Sequence, residues 1–97
     1  MAVESKKLTF IDKEIFLQID DSVDINFIFD HLKDFHYISI GGYRSYKLNI
    51  PYNFNYNVFK DYTELRYINL FSFDDIGKLK DVFNELNINS NIESNID

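Results

Sequence analysis

Alternation of apolar and polar residues predicts a first β-hairpin near the start of the chain. Ile15, Leu17 and Ile19 alternate with Phe16 and Gln18, which is the period-two pattern of a half-buried strand. A second short run of β-branched and aromatic residues, 8–11, precedes it across three polar residues. The pattern therefore predicts two strands joined by a polar turn that is longer than a two-residue turn, because it lacks Gly.

A second hairpin is predicted in the middle of the chain. Residues 36–40 alternate and end at the glycine pair Gly41 and Gly42, and residues 46–50 alternate again until Pro51. Because glycine adopts positive φ without a Cβ penalty, the pair favours a turn across residues 41–44.

Two amphipathic helices follow from apolar residues spaced at i, i+3, i+4 and i+7. Each stripe comes after capping residues, 20–24 in the first case and 72–75 in the second. The members of the two stripes are Ile25, Ile28, Phe29, Leu32 and Phe35, and then Ile76, Leu79, Val82, Phe83 and Leu86. Between them, residues 51–63 are assigned to a loop with one helical turn, and 65–71 to a central strand.

These elements predict a small single α+β domain over residues 8–88, with the order β-β-α-β-β-β-α. An antiparallel or mixed sheet with both helices packed on one face is the expected architecture, since each helix has one apolar stripe to bury. Residues 1–7 are expected to fray, and 89–97 to form a disordered polar tail. The predicted core is Ile28, Phe29, Leu32, Ile38, Ile40, Leu65, Ile68, Leu70, Leu79, Phe83 and Leu86.

A weak internal repeat leaves a second architecture open. Shifting the chain by thirty residues aligns 35–40 with 65–70 and superimposes Tyr37 on Tyr67 and Ile38 on Ile68. The stretch from Ile50-Pro51 through Phe59 to 65–70 resembles an irregular leucine-rich repeat of bacterial and protist surface proteins, with I-P, a buried Phe and then L-x-x-I-x-L. This resemblance covers about a quarter of the chain and implies a solenoid, which needs roughly three stacked units. Residues 81–89 do not continue the pattern in register, and a helix followed by a strand would produce the same match.

Composition narrows the range of functions. The chain has 97 residues, no Cys and a formal charge of −6, from 10 Lys and Arg against 16 Asp and Glu. A negative protein is a poor ligand for nucleic-acid phosphates, so direct nucleic-acid binding is not expected. Without Cys there are no disulfides and no thiolate metal sites. No apolar run spans a bilayer. We therefore expect a cytoplasmic protein that does not bind membranes.

Catalytic chemistry has little support in the sequence. His31 and His36 are the only imidazoles and fall on different predicted elements, and the acids cluster at helix starts, where they complement the macrodipole. Neither a calcium loop nor a phosphate-binding glycine motif is present. We expect no enzymatic activity, no bound metal and no cofactor.

The surplus of Tyr indicates a protein-binding surface instead. Seven Tyr are too many for so small a core, and Tyr is enriched at interfaces. Biased codon usage, or rings that merely cover a sheet edge, could also account for them. The candidate partner-binding residues are Tyr43, Tyr46, Tyr52, Tyr56, Asp61 and Glu64.

Tyr anchors within an acidic surface suit a basic protein partner, such as a nuclease. The hypothesis is an inhibitor or neutraliser of the kind represented by toxin-immunity proteins, antitoxins and phage anti-defence inhibitors. The alternative is a structural or adaptor subunit, or a fragment of an irregular leucine-rich-repeat protein. The oligomeric state is left open.

Overall fold

The computed structural model describes residues 12–93, which form four strands, two α-helices and two short 3-10 helices. The strands and α-helices are β1 (Glu14–Ile19), α1 (Ile25–Asp30), β2 (Tyr37–Gly42), β3 (Tyr67–Phe71), α2 (Gly77–Glu85) and β4 (Ser90–Glu93). The 3-10 helices are Tyr43–Ser45 and Tyr56–Asp61.

All four strands are parallel and lie in chain order, β1-β2-β3-β4. The expectation of an antiparallel or mixed sheet was therefore wrong. Period-two alternation reports only that a strand has one buried face, and it is the same for both directions of pairing. In a parallel sheet each connection must return the chain to the end of the sheet at which the strands begin, and here these connections contain the helices.

Residues paired between neighbouring strands are separated in the sequence by a different number of residues for each pair of strands. Ser39 lies opposite Asn69, thirty residues on, so the internal repeat in the sequence is the register of β2 on β3. The corresponding steps are 23 residues from β1 to β2 and 22 residues from β3 to β4. Each step therefore adds one strand and one returning connection.

The hairpin predicted across residues 41–44 does not form. No glycine in the part of the chain described has positive φ, and Gly42 lies in extended backbone with φ −73°. The glycine provides space instead, because a Cβ on Gly42 would lie 1.5 Å from the carbonyl oxygen of Tyr46. It is Arg44, with φ 52°, that adopts the left-handed conformation in this turn.

The strand predicted at 46–50 is reduced to one parallel bridge, between Leu48 and Phe73. Two aspartates bind the backbone of this segment. The carboxylate of Asp74 accepts from the Ile50 N–H (2.8 Å), and that of Asp21 accepts from the Asn49 N–H (3.1 Å). Of the other predicted hairpin, residues 8–11 lie outside the described range, and β1 pairs with β2.

The start of the second helix and the end of the chain also differ from expectation. Asp24 caps α1 by accepting from the Asn26 N–H, but α2 begins at Gly77 with no side-chain cap, because its N-cap residue is Ile76; Asp74 of the predicted cap accepts from the Ile50 N–H instead. Residues 90–93 of the expected tail form β4, while 1–7 and 94–97 lie outside the residues described.

Most of the predicted core is confirmed. Eight of its eleven residues are buried, and Ile28, Leu65 and Leu86 are partly buried against them. The two helices lie on one side of the sheet. Their rings meet through the 3-10 helix, because Phe59 is 5.1 Å from Phe29 and 4.7 Å from Phe83 between ring centroids. The segment 51–63, predicted as a loop with one helical turn and absent from the predicted core, contains the 3-10 helix Tyr56–Asp61 and supplies the buried residues Phe54, Val58, Phe59 and Tyr62.

Replacing Phe83 tests this core. Phe83 is fully buried, so Phe83→Ala should lower the free energy of unfolding by about 3–5 kcal/mol, enough to unfold much of so small a domain. The matched control is Phe27→Ala, because Phe27 is 59% exposed and should cost less than about 1 kcal/mol. Urea denaturation followed by circular dichroism measures both, and similar losses would contradict this assignment of the core.

Candidate protein-binding surface

Three of the four candidate tyrosines are exposed beyond the carboxyl end of β2. Tyr43 and Tyr46 follow this strand directly, and Tyr52 is fully exposed in the next loop. Tyr46 donates a hydrogen bond from its hydroxyl to Asp21 (3.0 Å), and this bond raises the pKa of the phenol. These rings and the acids of the β1–α1 turn therefore share one end of the sheet.

The turn between β1 and α1 is itself ordered by hydrogen bonds. The hydroxyl and the backbone N–H of Ser22 both donate to the carboxylate of Asp20, at 2.5 and 2.9 Å. These bonds lower the pKa of the Asp20 carboxyl below its ordinary value. Asp21 binds Tyr46 and Asn49, so this acid has a structural role.

Tyr56 lies apart from the other three tyrosines. It is partly buried, with its ring edge-on to Phe54 at 4.9 Å and the Lys78 amine 5.7 Å from its centroid. Burial is the main reason that its pKa is raised, with a smaller contribution from the charges of Asp75 and Asp74. Tyr56 therefore covers the helix side of the molecule.

The two candidate acids lie near the opposite end of the sheet. Asp61 pairs with Lys33 (3.5 Å), and Glu64 is 4.0 Å from Nε2 of His36, just before β2. Six strand residues at ~3.3 Å each separate this end from Tyr43 by about 20 Å. The structure thus does not bring the six predicted residues into one patch.

A different surface joins residues from neighbouring strands. The outward side chains of β1, β2 and β3 form one side of the sheet, opposite the helices, and we call this surface the open face. Its three rows across the sheet are Glu14, Tyr37 and Tyr67; Phe16, Ser39 and Asn69; and Gln18, Gly41 and Phe71. Phe16 is 62% exposed and Tyr67 38% exposed, although both belong to regular strands.

The rings of Phe16 on β1 and Phe71 on β3 stack on each other across β2, the strand that lies between them. The Phe16 and Phe71 rings are 6.3 Å apart with an angle of 17° between their planes, although β2 separates β1 from β3. Gly41 makes the contact feasible, because a Cβ there would lie 2.1 Å from Cε2 of Phe71. The glycine that suggested a turn therefore provides the space that Phe71 occupies.

Amides and a hydroxyl form a polar row beside the rings. Asn91 donates to the side-chain oxygen of Asn69 (3.1 Å), and Asn69 donates to the hydroxyl of Ser39 (3.3 Å). These bonds connect β4, β3 and β2 on the open face and fix the direction of each amide. The open face therefore combines polar atoms with neighbouring aromatic rings, a combination that is common at protein interfaces.

The two histidines lie in separate local environments. The Lys13 N–H donates to Nδ1 of His36 (3.1 Å), and the His31 ring packs 4.1 Å from Phe27 on α1. Within residues 12–93 no group of three or more His, Asp or Glu side chains is arranged to hold a metal ion. Over the same range, no helix has the length and apolar character to cross a membrane.

Comparison of the chain with protein-family models, with curated proteins and with solved structures finds no significant match. The candidate surface therefore depends on the chain's own geometry. The sequence pattern does not reveal this surface, because the alternation of Ile15, Leu17 and Ile19 places Phe16 on the predicted polar side of the strand. The repeat did contain a signal, since Tyr37 and Tyr67 are identical residues at equivalent positions.

A double-mutant cycle tests the role of Gly41. Gly41→Ala should force the Phe71 ring off Phe16 and lower the free energy of unfolding by about 1–3 kcal/mol. In a Phe71→Ala background the same substitution should be nearly neutral, because the added methyl group then meets no ring. Urea unfolding of the four proteins measures the coupling. An equal loss in both backgrounds would show that the methyl group clashes with backbone.

Proposed function

We propose that this chain is a small acidic module that binds a basic protein on its open face and blocks that protein's working surface. The observation that carries the proposal is the exposure of Phe16 and Tyr67 on regular strands, next to the carboxylate of Glu14. Exposed apolar rings clustered on a rigid scaffold are typical of interaction sites.

The rigidity of the open face favours affinity. Strands fix the backbone, and Phe and Tyr have only two side-chain torsions, so little conformational entropy is lost on binding. The Phe16–Phe71 stack and the polar row further restrict the side chains before a partner arrives. Such preorganised aromatic residues are the usual hot spots of an interface.

The charge of the chain favours a basic partner. Glu14 lies on the open face, Asp20 and Asp21 lie beyond the carboxyl end of β1, and the net charge is −6. This field attracts a positive surface over about a Debye length and raises the association rate. Nucleases and other nucleic-acid enzymes have such surfaces, and a neutralising protein of the immunity, antitoxin or anti-defence class covers them without any catalytic step of its own.

The alternative, an adaptor or part of a leucine-rich-repeat protein, is favoured by a separate observation. The strands are parallel and in chain order, and the thirty-residue repeat is the register of β2 on β3. An adaptor would use the same face but would leave its partner active. A cytoplasmic location is proposed for both the inhibitor and the adaptor. The chain has no Cys, so it forms none of the disulfides that are common in proteins of oxidising compartments.

Capture of binding proteins from the native host, with this chain as bait, followed by mass spectrometry identifies the partner. An assay of the partner's activity then distinguishes an inhibitor, which lowers that activity, from an adaptor, which leaves it unchanged. Phe16→Ala should then cost about 2 kcal/mol or more in binding free energy. The matched control is Tyr52→Ala, which removes a fully exposed ring beyond the sheet and should leave affinity nearly unchanged.

Salt dependence is a further expected result. Raising salt from about 50 to 500 mM should slow association mainly through kon, because screening shortens the range of attraction. Surface plasmon resonance measures both rate constants. Loss of affinity on alanine substitution of Tyr43, Tyr46, Tyr52 or Tyr56, without loss at Phe16, would place the partner on the loops instead. Association insensitive to salt would refute the electrostatic argument.

A further inference from the structure

An open depression lies on the amino-terminal half of the open face. It has a volume of about 470 Å³ and is lined by residues of β1, β2 and β3, namely Glu14, Ile15, Phe16, Tyr37, Ile38, Ser39, Tyr67 and Asn69. Adjacent strands are ~4.8 Å apart, so Glu14 is two strands from Tyr67, with Tyr37 between them. The depression is long enough to receive an extended side chain.

The chemistry of this lining selects a cation with a flat face. It combines one carboxylate, three aromatic rings, two isoleucines, three hydroxyls and an amide, and among residues 12–93 no Lys, Arg or His lines it. Aromatic faces attract cations, and apolar walls reduce the screening of the carboxylate. A guanidinium can stack on a ring while it donates to a carboxylate, whereas an ammonium is a more strongly hydrated point charge.

The same chain already holds a guanidinium in this way at the edge of the depression. Nη1 of Arg66 is 2.5 Å from Oδ1 of Asp12, and its Cζ is 6.0 Å from the centroid of the Tyr37 ring. Tyr37 and Asp12 together raise the pKa of Arg66. Asp12 thus neutralises the one arginine near the depression, and among residues 12–93 no Lys, Arg or His pairs with Glu14.

We infer that this depression is an arginine subsite, in which Glu14 binds the guanidinium of a partner's arginine between the Phe16 and Tyr67 rings. The inference rests on the proposed function and specifies how a basic protein would be anchored. Asn69 and Ser39 are hydrogen-bonded to each other at the floor, so their remaining polar atoms can bind the partner's backbone. Net charge complementarity favours a protein arginine over any anionic ligand.

The test uses ¹⁵N-labelled protein and the tripeptide acetyl-Gly-Arg-Gly-amide, followed by NMR. One subsite of this size should give a dissociation constant on the order of 1 mM, with amide shifts concentrated in β1, β2 and β3. The peptide with citrulline at the same place has nearly the same shape without the charge, and it should bind at least tenfold more weakly. The lysine peptide should bind several-fold more weakly than the arginine peptide.

Glu14→Gln should weaken arginine-peptide binding at least fivefold, and Glu85→Gln on α2 serves as the control of equal charge change. Equal shifts with arginine and citrulline, or no effect of Glu14→Gln, would overturn the subsite. If a captured basic partner depends on Phe16 but not on Glu14, the proposed function stands and the arginine subsite falls. If the arginine peptide binds as expected but no basic partner is captured, the subsite stands and the proposed function falls.

Discussion

The fold depends on a row of phenylalanines that lies beneath the sheet. Each of the three connections between successive strands contributes one ring, from α1, from the second 3-10 helix and from α2, and the rings of Phe29, Phe59 and Phe83 touch in that order. These rings pack with the inward side chains of the strands in a single apolar cluster. Because the helices of the three connections pack on this side, no helix within residues 12–93 covers the other side of the sheet. The open face is therefore a consequence of how the core is built.

Close approach explains the glycine pair better than turn formation does. Gly41 leaves space for the Phe71 ring, and Gly42 leaves space for the backbone at Tyr46. The first allows two rings to stack across an intervening strand, and the second lets the chain turn away immediately after β2. One pair of small residues thus shapes both the open face and the loop beside it. Neither glycine needs the positive φ that makes glycine frequent in hairpins.

The acidic residues divide into structural and available groups. Asp21 and Asp74 bind backbone N–H groups of the 48–50 segment, Asp24 caps α1 and Asp12 pairs with Arg66. These carboxylates still contribute to the negative field that would steer a basic partner, but their oxygens already accept hydrogen bonds from groups of this chain. Glu14 differs because it lies among aromatic rings on the open face. Long-range attraction therefore depends on all of the carboxylates, whereas local recognition depends on Glu14 and on the exact position of its side chain.

The sequence by itself determined many of the buried residues of the strands and helices, and where most of these elements lie. Burial follows from local periodicity, so Phe29, Ile38, Ile68 and Phe83 could be assigned to the core without knowledge of the topology. The direction of strand pairing, the place of the 51–63 segment in the core and the composition of the open face were decided by tertiary structure. Alternation is identical in parallel and antiparallel strands, and a surface such as Glu14, Tyr37 and Tyr67 exists only once the register brings together residues 23 and 30 positions apart.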